Sequence, residues 1–181
     1  MLSADLIQRC KNGEHRAQRQ LFDQYCTPMY NVCLRYLRSD FDAEEALSKG
    51  FTKVFAGMGR FNYEGEAALK AWIKKIMINE CLMLLRSKNN FSLVPITEAS
   101  DIMHHDARLE NMDTRYILEC IAALPAGYRT VLNLYIVEAY KHHEIAAMLG
   151  IAESTSRSQL NKAKQALKEK LLQYNIKYGK G

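Results

Sequence analysis

Proline, paired cysteine and long apolar runs are all scarce in this chain, and each scarcity excludes something. Only three prolines occur in 181 residues, so little in the backbone forbids long helices. No apolar run approaches the roughly 20 residues of a membrane-spanning helix. Met1-Leu2-Ser3-Ala4-Asp5 lacks the basic stretch and apolar core of a secretory signal. A soluble, cytoplasmic protein without membrane insertion is expected. The five cysteines (Cys10, Cys26, Cys33, Cys81, Cys120) are odd in number and include no Cys-x-x-Cys pair. They read as buried thiols in a reducing compartment, with no disulfides and no zinc site. An activated nucleophile, a Gly-rich phosphate loop and an acid/base pair on a rigid element are also missing, so no catalysis is expected. Asp101, His104, His105 and Asp106 make only a loose cluster, because adjacent histidines do not face one ion on a helix. Neither a metal nor a cofactor is expected.

What is present is apolar material in helical register. Hydrophobic residues make up 48% of the chain, enough for packed cores, and the long periodic segments point to an all-α protein. Charge is unevenly spread. Residues 1–90 carry 14 Lys/Arg against 10 Asp/Glu, residues 91–115 carry 2 against 5, and residues 116–181 carry 9 against 5. Two basic blocks flank an acidic connector, as two polyanion-facing modules joined by a tether would.

Leu2 to Cys10 forms a short helix candidate that ends near Asn12-Gly13. Leu21, Tyr25, Met29, Val32 and Tyr36 then keep one apolar face through several turns, and Pro28 should kink or split that helix. Ser39-Asp40-Phe41-Asp42 starts a third helix, with carboxylates favourable at its N-terminus. Its core positions are Ala43, Leu47, Phe51, Val54 and Phe55; Gly50 weakens it and Gly57 and Gly59 close it. A loop with Phe61 and Tyr63 leads into a fourth helix whose Leu69, Trp72, Ile73 and Ile76 face the core. Lys75, Asn79, Leu82 and Arg86 form a partly polar flank along it. The first domain ends at about Lys88, a linker covers 89–112, and the second domain covers 113–181. The second domain opens with Tyr116, Ile117, Ile121 and Leu124. After a break at Pro125-Ala126-Gly127, a helix runs through Val131, Leu132 and Tyr135 to Val137.

The most informative stretch is Tyr140 to Lys164. Ile145, Met148 and Leu149 repeat at helical spacing, Gly150 suits a left-handed helix end, and Ser154 or Thr155 can cap the helix that follows. In that last helix Ser156, Leu160, Ala163 and Leu167 would pack inward, while Arg157, Asn161, Lys164 and Lys168 would point outward. A tight turn between such helices is a helix-turn-helix. The presented side chains suit a DNA groove: arginine and lysine for phosphates or guanine, asparagine for adenine, serine for either.

Three stretches taken together resemble a bacterial RNA polymerase sigma factor of the extracytoplasmic-function group of the sigma-70 family, with conserved regions 2 and 4 only. Asp42-Ala43-Glu44-Glu45 with Phe51-Thr52-Lys53-Val54-Phe55 is similar to the clamp-binding helix. Gly65-Glu66-Ala67-Ala68-Leu69-Lys70-Ala71-Trp72-Ile73 through Asn79 and Arg86 resembles the promoter-melting segment. Ala123-Leu124-Pro125-Ala126-Gly127-Tyr128-Arg129 with the helix-turn-helix resembles region 4. The resemblance implies a non-enzymatic transcription initiation factor that binds the clamp and flap of core RNA polymerase and places it on promoter DNA. An anti-sigma protein is a further partner it admits. Thr155, Arg157, Ser158, Asn161 and Lys162 would contact −35 duplex DNA. Phe61, Asn62, Tyr63, Lys75, Asn79 and Arg86 would handle the melted −10 element. Asp42, Glu45, Ser48, Lys49 and Lys53 would meet the polymerase. Ser48 and Lys49 stand where the family usually has Gln and Glu, and Met83 where it has Asp; the loop before Glu66 is about two residues longer than usual. The alternatives are a stand-alone helix-turn-helix regulator that binds duplex DNA without polymerase, and an enzyme centred on His104-His105.

Overall fold

A computed structural model describes residues 4–88 and 112–178, and among them every regular element is helical. The chain divides into two compact units that part after Lys88. The first unit holds α1 (Ala4–Lys11), α2 (His15–Leu37), α3 (Asp40–Gly57), a 3₁₀ turn (Met58–Arg60) and α4 (Glu66–Ser87). Helix α2 buries Leu21, Tyr25, Met29, Val32 and Tyr36 along the expected face. Pro28 does not split it: the helix runs through that residue without interruption. Pro28 lies on the solvent side, where its ring has room and the carbonyl it leaves without a donor can turn to water. Arg38 ends α2 in the left-handed conformation, its N–H donating to Leu34 O at 2.9 Å.

Ser39 caps α3: its Oγ accepts from the Asp42 N–H at 3.2 Å, and Asp40 and Asp42 sit in the first turn, where carboxylates meet the positive end of the helix dipole. Tyr30 on α2 donates its hydroxyl to Asp40. Midway along α3, Gly50 is buried against α4, and a Cβ there would fall 2.2 Å from Met77 Sδ. The glycine that costs α3 helix propensity thus permits the close α3–α4 approach. Phe51 is buried and packs between Phe22 and Phe55, at centroid distances of 4.7 and 6.0 Å. Two ion pairs cross from α3 to α4. Lys53 Nζ lies 2.6 Å from Glu80 Oε1, and Lys88 Nζ lies 2.6 Å from both carboxylate oxygens of Asp42. Cys10, Cys33, Cys81 and Cys120 are buried as free thiols, with Cys26 only partly so. A hydrogen bond with Cys33, then burial, pushes the Cys81 thiol far up, which leaves it protonated and inert.

The second unit holds α5 (Met112–Ala122), α6 (Ala126–Leu132), a π-helical stretch (Asn133–Val137), α7 (His142–Leu149) and α8 (Glu153–Tyr178). The buried Arg129 guanidinium donates to the carbonyls of Ala122 at 3.2 Å and Leu124 at 2.6 Å, tying the end of α5 to α6. Gly127 faces Gln159 of α8 so closely that a Cβ would lie 3.3 Å from its Oε1. In α5 Cys120 is buried and Ile117 is exposed. The helix widens at Asn133, with Glu138 N–H reaching Asn133 O at 3.0 Å. That five-residue step keeps Leu134 inside and leaves Tyr135, Ile136 and Val137 exposed.

Gly150 closes α7 at φ 67°, the left-handed end expected of it. Helix α8 opens earlier than anticipated. The Ser156 N–H donates to Ala152 O at 3.1 Å, so Ser154 and Thr155 lie inside the first turn and are not caps. Glu153 heads that turn, a favourable place for a carboxylate. Among the described residues no helix is long and apolar enough to cross a membrane.

Candidate nucleic-acid interface

Helix α8 separates two faces cleanly. Ser156, Gln159, Leu160 and Ala163 are buried, and Leu167 is half-buried. Arg157, Ser158, Asn161, Lys162, Lys164 and Lys168 are exposed, and Thr155 is half-buried at the margin. The inward face packs on α6 and α7, so the outward side chains stand on a fixed support. Gln159 carries no apolar signal in the sequence, and its burial comes from the small space that Gly127 leaves for it.

His142, at the first position of α7, ties the two helices of the helix-turn-helix together. Its Nδ1 lies 2.9 Å from the buried Ser156 Oγ, and Tyr135 stacks on its ring at 4.5 Å. Burial, then the positive charge of Arg157, holds the imidazole below its ordinary pKa. Arg157 itself pairs with Glu153 one turn earlier. Its guanidinium is therefore oriented before any ligand arrives, although an exposed pair of this kind is worth only a few tenths of a kcal/mol. The Lys141 N–H donates to Glu144 at 2.7 Å and closes the first turn of α7.

In the first unit, Lys53, Gly57, Arg60, Phe61, Asn62, Glu64, Ala68, Trp72 and Ile76 line an open cleft of about 510 Å³. Phe61 stacks on Trp72 with centroids 4.4 Å apart and planes 22° apart. Trp72 is only half-buried, so its expected place in the core is corrected: the indole forms a cleft wall, and a Cβ on Gly57 would fall 3.2 Å from it. The cleft gathers Phe61 and Asn62, and Asn62 Nδ2 donates to Glu64 at 3.2 Å. Tyr63 is half-buried and outside the lining. Lys75 and Asn79 are exposed on the flank of α4 beside Trp72 and Ile76. Arg86 is exposed about two turns beyond Asn79 along α4, roughly 10 Å at the helical rise. Sequence reading missed Arg60 and Glu64, because a cleft made by a turn and one helix face leaves no periodic trace.

On α3, Ser48 and Lys49 are exposed and Glu45 is half-buried. Lys49 Nζ lies 2.6 Å from Glu45 Oε1, and that hydrogen bond pushes the ammonium pKa up. Ser48 keeps its side chain toward solvent, while its carbonyl accepts from Thr52 Oγ1 at 2.9 Å. Asp42 is different. It is 8% exposed, and both its oxygens accept from Lys88. Lys53 is exposed but gives its ammonium to the buried Glu80. His104 and His105 lie outside the described residues, and among those described no group of three His, Cys, Asp or Glu could hold a metal.

The family model for sigma-70 region 2 matches residues 21–91, and that for sigma-70 region 4 matches residues 114–167. The ECF RNA polymerase sigma factor SigM of Mycobacterium tuberculosis is 26% identical over 165 residues, covering 91% of this chain and 82% of that protein. SigW of Bacillus subtilis, also an ECF RNA polymerase sigma factor, is 22% identical over 184 residues, covering 94% of this chain and 97% of that one. Among solved structures, the sigma factor RpoE in complex with the anti-sigma factor NepR, from Bartonella quintana, aligns with a TM-score of 0.56 at 20% identity. That alignment covers 84% of this chain and 95% of that one, and it shows a shared fold.

Proposed function

The chain belongs to the sigma-70 family, in its extracytoplasmic-function group of transcription initiation factors, and from this premise we propose that it directs core RNA polymerase to promoters by reading two DNA elements with two separate units. The outward face of α8 lies in the major groove of the −35 element. Arg157, Ser158 and Asn161 contact base edges there, Lys162 and Thr155 the backbone. Good base contacts contribute about 1–3 kcal/mol of discrimination each, whereas phosphate contacts give affinity that salt weakens. In the first unit the Phe61–Trp72 cleft receives an unpaired base of the −10 element. Stacking on an aromatic wall is worth about 1–3 kcal/mol per base, and Asn62, Glu64 and Arg60 can hydrogen-bond its edge. Lys75, Asn79 and Arg86 follow the strand along α4. Glu45, Ser48 and Lys49 face the polymerase clamp, with Lys53 beside them. The second unit faces the flap, and an anti-sigma protein is a natural antagonist of such surfaces.

One observation carries this reading: a helix-turn-helix with an exposed, polar and basic outer face is joined in one chain to a second unit bearing an aromatic cleft flanked by cations. A stand-alone repressor has no use for the second feature. The test is promoter use by the polymerase holoenzyme with Arg157→Ala/Lys162→Ala. Promoter output should fall about tenfold or more, in line with the loss of one good base contact, while co-purification with core polymerase stays intact. Unchanged output from this variant would sink the −35 assignment. If the chain alone, without polymerase, protects the same DNA at equal concentration, the repressor reading wins.

A further inference from the structure

Trp72 is the only tryptophan of the chain, and its two aromatic neighbourhoods differ in stiffness. The indole stands on α4, with Ala68 and Ile76 one turn before and after it along the same cleft wall. Its benzo edge faces the end of α3 so closely that a Cβ on Gly57 would lie 3.2 Å from Cζ2. A ring set between two helices in this way is a fixed platform. Phe61 belongs to a different kind of element. It ends the 3₁₀ turn and begins residues 61–65, which have no regular structure. Its ring lies nearly parallel to the indole, with centroids 4.4 Å and planes 22° apart.

Stacking of a flat ring on an aromatic face is also how a nucleobase binds such a side chain. The phenyl ring therefore stands where a base would stack. Its backbone is tied down, because the Phe61 N–H donates to Met58 O at 3.1 Å. Clearing the indole thus needs a rotamer change of one half-buried side chain and no rearrangement of the loop. The two occupants are not equivalent. A phenyl ring only stacks, whereas a base can also hydrogen-bond Arg60, Asn62 and Glu64, which line the same cleft. Exchange accordingly runs toward the base.

We propose that Phe61 is a displaceable lid, holding the stacking place on Trp72 until an unpaired base of the melted strand takes it. This rests on the −10 reading above and adds that the bound base stacks on Trp72 in place of Phe61, not beside it. The lid keeps the indole from standing as an open apolar surface before a strand is presented.

The test uses the full chain, alone and assembled with core polymerase, and an end-labelled single strand carrying the non-template −10 sequence of the protein's own promoter. In the free chain, Phe61→Ala should move the Trp72 emission maximum to longer wavelength, because water reaches the uncovered indole. An unmoved maximum would show that Phe61 does not cover the ring in solution and would overturn the lid. In the holoenzyme, Phe61→Leu keeps apolar bulk in the loop but has no flat face to stack. It should bind the strand more tightly by about two- to tenfold, the worth of the one aromatic pair that no longer has to be broken. Equal or weaker binding would make Phe61 part of the bound wall and overturn the lid while leaving base capture standing. A native holoenzyme that binds the −10 strand no better than a scrambled one would overturn the −10 reading itself, whatever Phe61 does.

Discussion

His142 shows how one side chain can tie a long helix to its support. Its ring nitrogen meets Ser156 Oγ on the buried side of α8, its face rests on Tyr135, and Arg157, Glu153 and Lys164 set the charge around it. Burial and Arg157 favour the neutral ring, so its pKa in the folded chain lies below the ordinary 6.5. The unfolded chain then binds the proton first. The contribution of His142 to stability is full above about pH 6.5 and is lost as the pH falls toward the folded value. Between about pH 7.5 and pH 5.5, the Tm of the native chain should fall further than that of His142→Gln, which keeps a polar partner for Ser156 but does not titrate. Parallel Tm profiles for the two chains would show that this imidazole is not linked to folding.

The elements show what a sequence discloses and what it withholds. Faces of single helices were legible because burial repeats at 3.6 residues: Leu21 to Tyr36 on α2, and Ser156, Leu160 and Ala163 against Arg157, Asn161 and Lys164 on α8. Gly150 was legible because few residues tolerate its conformation. Features made by two distant segments were hidden. Asp42 reads as a surface carboxylate until Lys88, 46 residues on, is folded against it. Trp72 has core spacing, yet stacks on a loop phenylalanine at the rim of a cleft. The π-helical step at Asn133–Val137 leaves Tyr135, Ile136 and Val137 exposed, and no local periodicity announces it. Gly50 is an instructive case, reading as a helix weakness while serving as the contact point of α3 and α4. Gly50→Ala gains helix propensity worth up to about 1 kcal/mol. It also forces a Cβ onto the buried Met77 sulfur, and overpacking of this kind costs about 1–3 kcal/mol. We expect a net loss of about 1 kcal/mol, seen as a lower denaturant midpoint with an unchanged slope. A higher midpoint would mean that Met77 swings aside and the close approach is not needed.

At the scale of the whole molecule, the proposed function has the two units divide one task. Each has its own apolar core, and each block of sequence carries a positive balance, 14 Lys/Arg against 10 Asp/Glu in residues 1–90 and 9 against 5 in residues 116–181. Under the proposed function, the negative balance of residues 91–115, 2 against 5, disfavours competition by that segment for phosphates. Neither unit alone explains the chain. A duplex reader without a strand-capturing cleft cannot help open a promoter, and the cleft without the reader has no address. The most direct measurement is therefore run-off transcription with purified core polymerase from the source organism, on the promoter of the protein's own operon, with and without the full chain. Transcripts that require the protein, and that disappear when Phe61 and Trp72 are both replaced by alanine while polymerase binding persists, are the expected result. Absence of any transcript, with the protein alone still shifting the same DNA, would contradict initiation and leave a duplex-binding regulator in its place.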